Sequence, residues 1–198
     1  MGRKLGLTLD DVVAAAALIA DRDGIDSVSL ATVADALGVK SPSLYNHVEG
    51  LAGLRRALAI HGSRVLASEL TDAVGSPDPG AGDPTSAAAD SGEAVRRLAA
   101  AYRTFAIDRP GLYASMLPAP SPDDDPELAA ELFEAVKVVA EVFASAGVDD
   151  DVMIPTIRAF RSTVHGFVDL ENRGGFGLPD DIDESFDTAV EIVISSLG

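Results

Sequence analysis

The run Lys40-Ser-Pro-Ser-Leu-Tyr-Asn-His47 gathers an ammonium, two hydroxyls, a phenol, an amide and an imidazole within eight residues. Such groups donate and accept hydrogen bonds without breaking covalent bonds, and no Gly-x-Ser-x-Gly elbow or other nucleophile–base arrangement accompanies them. The chain has no cysteine, which excludes disulfides, thiolate metal sites and thiol nucleophiles together. His47, His61 and His165 lie far apart with no carboxylate at metal-ligand spacing, so no metal and no catalytic residue is expected. The acidic triplets Asp123–Asp125 and Asp149–Asp151 each precede a helical pattern, where carboxylates cap the helix and face its positive end. Gly174-Gly-Phe-Gly177 follows a helix instead of a strand, so it is not a phosphate cradle. No cofactor is implied.

Two short helices must position the polar run. Ser29 opens one, stapled by Val28 and Val33 and stopped at Gly38; Ser41-Pro42 opens the next, because proline is pre-set for a first helical turn. Gly38 takes the turn without a Cβ penalty, Ala34 is small enough for close approach, and Val39 and Leu44 lock the pair inward. That pattern makes a helix-turn-helix, whose second helix enters a DNA major groove N-terminus first. An ordinary helical hairpin is the alternative.

The rest of the chain is helical too. Thr8–Gly24 begins with a good N-cap, carries Asp10 and Asp11 in its first turn, and shows an apolar stripe of Val12, Ala16, Ile19 and Ala20. A longer helix covers about 50–74. The stretch 75–92, rich in Gly, Pro, Ala, Asp and Ser, is expected to be a mobile loop. Helical patterns follow over 93–107, 110–117, 126–146, 152–172 and 183–197, with no convincing strand. The fold class is all-α. The expected organisation is a DNA-binding domain over 1–50, a connecting helix over 51–74, the loop over 75–92, and an effector and dimerisation domain over 93–198.

The formal net charge of −17 argues against nucleic acid until it is divided. Up to residue 65, seven basic groups (Arg3, Lys4, Arg22, Lys40, Arg55, Arg56, Arg64) balance seven acidic ones (Asp10, Asp11, Asp21, Asp23, Asp26, Asp35, Glu49). The excess lies further on, beyond a Debye length of roughly 8 Å from a reading face. It lowers non-specific affinity for DNA without abolishing a local site. No segment approaches the ~20 apolar residues needed to span a bilayer, and the chain is expected to be cytoplasmic.

The run from Ala34 through Leu-Gly-Val to Ser-Leu-Tyr-Asn-His-Val48 resembles the recognition motif of the TetR family of transcriptional regulators. The resemblance covers about residues 7–65, and extends by architecture over the remainder. It implies a homodimeric repressor that leaves a palindromic double-stranded operator when a small-molecule effector binds. It also implies no enzyme activity. Ser41, Pro42, Ser43, Tyr45, Asn46 and His47 would face DNA, with Thr32 near the backbone and Lys40 reaching a phosphate or a guanine. Arg3 and Lys4 would form a short basic arm. The family usually carries a lysine where this chain has Glu49-Gly-Leu-Ala; Arg55 and Arg56 stand a turn later. An effector pocket is implied among Tyr102, Phe105, Tyr113, Met116, Leu117, Phe133, Phe160, Arg161 and His165. A four-helix dimer seam is implied at Phe167, Phe186, Val190 and Val193. Arg109-Pro-Gly-Leu-Tyr113 and Val164-His-Gly-Phe167 are similar to a subgroup with a Trp-His-Gly signature, Val164 standing where the tryptophan is expected. An activator, or a helical ligand-binding protein or small enzyme that never touches DNA, remains the alternative.

Overall fold

The computed structural model describes residues 6–75, 84–118, 121 and 123–197, with side chains for all of these except 84–90. Helices run over α1 (Leu9–Asp23), α2 (Leu30–Leu37), α3 (Gly50–Val74), α4 (Pro84–Asp108), α5 (Pro110–Ser115), α6 (Pro126–Ser145), α7 (Asp150–Asn172) and α8 (Ile182–Ser195). Between them lie a 3₁₀ turn at Ile25–Ser27 and a 3₁₀ helix at Ser41–Asn46. The described residues contain no strand. No described helix is long and apolar enough to cross a membrane.

Contacts divide the chain into two compact units, one of residues 1–65 with 108–132, the other of 66–107 with 133–198. In the first unit Thr8 caps α1 reciprocally: its hydroxyl accepts the Asp11 N–H at 3.2 Å while the Asp11 carboxylate accepts the Thr8 N–H at 2.9 Å. Ser29 and Thr32 repeat the arrangement at α2. That helix ends at Gly38, whose φ of +65° is left-handed, with the Val39 N–H closing on the Ala34 carbonyl at 3.0 Å. Val12, Ala16, Ala20, Val33, Ala34, Leu44, Leu54 and Leu58 are buried here. Small alanines on α1 let its neighbours approach closely.

The approach is closest at Gly111. A Cβ there would fall 2.0 Å from the carbonyl carbon and oxygen of Ala20, so only glycine fits α5 against α1. Asp21 fixes the same junction, one carboxylate oxygen accepting from Arg109 Nε at 2.6 Å and the other from the Leu112 N–H at 2.8 Å. A second seam joins α3 to the start of α6. Arg56 pairs with Asp125 and Glu127, the Ser63 hydroxyl donates to the Glu131 carbonyl at 2.8 Å, and Arg64 pairs with the Glu131 carboxylate.

The second unit is centred on aromatic side chains. Phe160 meets Phe143 edge-on at 5.4 Å and Tyr102 at 6.3 Å. Arg103 binds Glu171 and Asp183 and lies 4.8 Å over the Phe186 ring, tying α4, α7 and α8 together.

The structure differs from the sequence expectation over 84–92, where a helix begins instead of a loop continuing. Pro84 occupies the first turn and Ala87, Ala88 and Ala89 follow; high intrinsic propensity outweighs the missing apolar stripe. The remainder of the expected loop, 76–83, lies outside the described residues.

Candidate nucleic-acid interface

The 3₁₀ helix Ser41–Asn46 is held from beneath by Leu44, which is fully buried. Its bonds run from the Ser43 N–H to the Lys40 carbonyl at 2.8 Å and from the His47 N–H to the Leu44 carbonyl at 2.9 Å. Six residues with a proline near their start close i→i+3 bonds more readily than a full α-turn. Because Leu44 faces inward, Lys40, Pro42, Tyr45 and Asn46 are exposed, while Ser41, Ser43 and His47 are half-buried. Tyr45 is 63% exposed, so its ring and phenol are open to a partner surface.

Thr32 is exposed, but its hydroxyl has another task. It accepts the Ser29 N–H at 3.0 Å, and its single proton points to the carbonyls of Ser27 and Ser29, each 3.0 Å away. It therefore holds the start of α2 in place. Arg55 is exposed and only loosely paired, 4.0 Å from Asp26. Arg56 faces α6 and is not free to compensate for the missing lysine. Hydrogen bonds from Thr8 hold the Asp11 carboxyl below the usual carboxylate range, and His47 adds to that effect across the N-terminus of α1. The basic arm at Arg3 and Lys4 lies outside the described residues.

The residues expected to line an effector pocket fall in both units. Tyr102, Phe105 and Phe160 are buried in the second, where Arg161 and His165 are half-buried and Phe133 is 46% exposed. In the first unit Tyr113 and Met116 are buried and Leu117 is exposed. Met116 and Leu112 pack against Gly62 of α3, where a Cβ would come within 3.0–3.2 Å of them. Among the described residues no group of three or more His, Asp or Glu is placed to hold a metal ion.

The residues expected at a dimer seam make contacts within the single chain. Phe186, Val190 and Val193 are buried, and Phe167 stacks on Phe176 at 4.7 Å and on Phe186 at 5.1 Å. The opposite faces carry Pro155, Ala159, Ser162 and Leu170 on α7, and Thr188, Ile192 and Ser195 on α8, all exposed. Sequence reasoning also missed Asp21, Arg109 and Gly111 as the support of α1. A glycine beside a proline was visible, but its neighbour some ninety residues away was not.

Comparison with known proteins agrees with this geometry. The model of the Tetracyclin repressor-like C-terminal domain matches residues 95–193. The HTH-type transcriptional regulator YobS of Bacillus subtilis is 34% identical over 198 residues, covering 100% of this chain and 96% of its own. An HTH-type transcriptional regulator of Mycobacterium tuberculosis is 36% identical over 185 residues, covering 92% of this chain and 77% of its own. Among solved structures, the TetR family protein ActR of Streptomyces coelicolor, in complex with (S)-DNPA, superposes with a TM-score of 0.70 at 20% identity, over 98% of both chains. With a left-handed Gly38 turning α2 into a polar 3₁₀ helix, and relatives of this kind along its whole length, the chain belongs to the TetR family of helix-turn-helix transcriptional regulators.

Proposed function

We propose that the protein is a cytoplasmic, non-enzymatic repressor that grips a palindromic operator as a homodimer and is released by a small molecule. The single observation carrying this is the 3₁₀ helix Ser41–Asn46, rigid at Leu44 and exposed at Lys40, Pro42, Tyr45 and Asn46. A reading edge of that size covers only a few base pairs, so two copies about 34–36 Å apart are needed to select a site. Ser41, Ser43 and His47 complete the edge, with Arg55 beside it; Asn46 suits the N6/N7 edge of adenine. Thr32 positions α2. In functional terms 1–50 reads DNA, 51–74 connects, and 93–198 binds the effector and the partner copy.

The aromatic group Tyr102, Phe105 and Phe160, with half-buried Arg161 and His165 one turn apart, supports an effector site for a flat, polar or anionic organic molecule. ActR, which shares the fold, forms a complex with (S)-DNPA. Val164-His-Gly-Phe167 and Arg109-Pro-Gly-Leu-Tyr113 place the chain near the Trp-His-Gly subgroup in our reading.

Footprinting on the region upstream of its own gene tests the proposal. The expected result is protection of an inverted repeat, with Tyr45→Ala weakening binding at least tenfold at unchanged helicity and dimerisation. Protection of one non-palindromic half-site, or wild-type affinity in Tyr45→Ala, would count against it.

A further inference from the structure

The first unit is acidic: residues 1–65 balance seven basic groups with seven acidic ones, and 108–132 adds six carboxylates and one arginine. Arg22 is bonded to Asp23, Arg56 to Asp125 and Glu127, Arg64 to Glu131, and Arg109 to Asp21, while Arg55 stands 4.0 Å from Asp26. Lys40 alone among the described lysines and arginines of this unit has no carboxylate within 4.0 Å. It is also the N-cap residue of the 3₁₀ helix, exposed, at the end that leads into the groove.

That end has few other donors. Pro42 brings no N–H, and the Ser43 N–H is committed to the Lys40 carbonyl. The hydroxyls, phenol and amide behind it are neutral. An ammonium offers three donors and no acceptor. On the floor of the major groove guanine presents two adjacent acceptors, N7 and O6, whereas adenine sets an N6 donor beside its N7. A donor-only cation on the leading residue therefore favours G·C at the position it reaches. Phosphates line the groove rim and carry no base information.

We infer that Lys40 is the specificity-determining residue of this regulator, selecting a guanine through N7 and O6 in each operator half-site. The inference rests on the proposed role of the Ser41–Asn46 helix. Because Arg22, Arg56, Arg64 and Arg109 are held by carboxylates and only Arg55 is loosely paired, base selection more than phosphate attraction sets where the protein binds.

In vitro selection from a randomised duplex library, with the full-length protein, tests it. Wild type should enrich an inverted repeat with a guanine fixed at one position of each half. Lys40→Gln should lose selection at that position alone and bind the wild-type repeat about 5- to 150-fold more weakly per half-site, while Lys40→Arg keeps the guanine. Replacing that guanine by 7-deazaguanine should weaken wild type and leave Lys40→Gln unchanged. The inference is overturned if Lys40→Gln weakens all sequences uniformly, keeps the guanine preference, and lowers the salt slope by about 1 per contact, which marks a phosphate anchor. It is equally overturned if Lys40→Gln binds and selects as wild type does. In both cases the enriched repeat leaves the regulator reading intact. A wild-type protein that enriches no repeat refutes the two together.

Discussion

Single residues in this protein act mainly by what they leave room for. Gly111 is the clearest: any larger residue drives a Cβ into the Ala20 carbonyl. Gly111→Ala should cost about 3 kcal/mol, the upper end of the overpacking range, read as a lowered urea midpoint with an unchanged slope. Equal stability in the variant would show that α5 can withdraw from α1 freely. Asp21 is expected to matter through the same contact, because both its oxygens are occupied and its side chain is only 14% exposed. None of this was legible in the sequence. Caps announce themselves locally, as Thr8, Ser29, Gly38 and Pro42 did. A carboxylate whose partners are Arg109 and Leu112 gives no local sign of them. The candidate reading residues were legible for the opposite reason, since Leu44 and Gly38 fix their exposure within one short turn.

At the scale of elements, α3 is held to the start of α6 by charge, and this gives the protein an acid-sensitive seam. Hydrogen bonds from Arg56 hold the Asp125 carboxyl at about 2, and Arg64 holds Glu131 below its ordinary value. A carboxylate depressed in the folded state binds fewer protons there than when unfolded, so stability rises with pH across the window. Its contribution is complete above about pH 5 and disappears as the pH falls toward 2. Arg56→Met should flatten the dependence of the unfolding free energy on pH between about 5 and 2; a slope equal to wild type would deny the pair any role. The helices themselves were largely foreseeable, since apolar periodicity and caps place α1, α2, α7 and α8 within a few residues. The first turns of α4 were not, because they rely on alanine propensity and show no stripe to find. The two faces of α8 could not be told apart either. A row of Phe186, Val190 and Val193 suits a partner helix as well as the chain's own core, and only packing decides.

The whole molecule follows from that decision. We place the contact of the proposed dimer on the small outward residues of α7 and α8, together with Leu170 and Ile192, which are 48% and 67% exposed. Ile192→Asp should yield a folded monomer with unchanged helicity and lost operator binding. Phe186→Asp should instead unfold the second unit, because it buries a charge beside Phe167. Sedimentation with circular dichroism separates the two outcomes, and a folded monomer from Phe186→Asp would return the seam to the inner face. Two chains of −17 each repel one another. Salt should therefore tighten the proposed dimer while it loosens the proposed grip on DNA, and operator occupancy should peak at an intermediate ionic strength.

The junction at Gly111 has a bearing on synthesis. One compact unit is completed by a segment, 108–132, that is made only after most of the other unit's first half, 66–107. On the ribosome α1, α2 and the start of α3 emerge with the Ala20–Asp21 surface bare. It stays bare for several seconds at roughly 5–20 residues per second. During that interval the nascent chain holds a carboxylate without its Arg109 and Leu112 partners and an uncovered notch that its own later sequence must reach first. Slower decoding between codons 66 and 108 would lengthen the exposure and lower the yield of folded protein, leaving the stability of each finished molecule untouched.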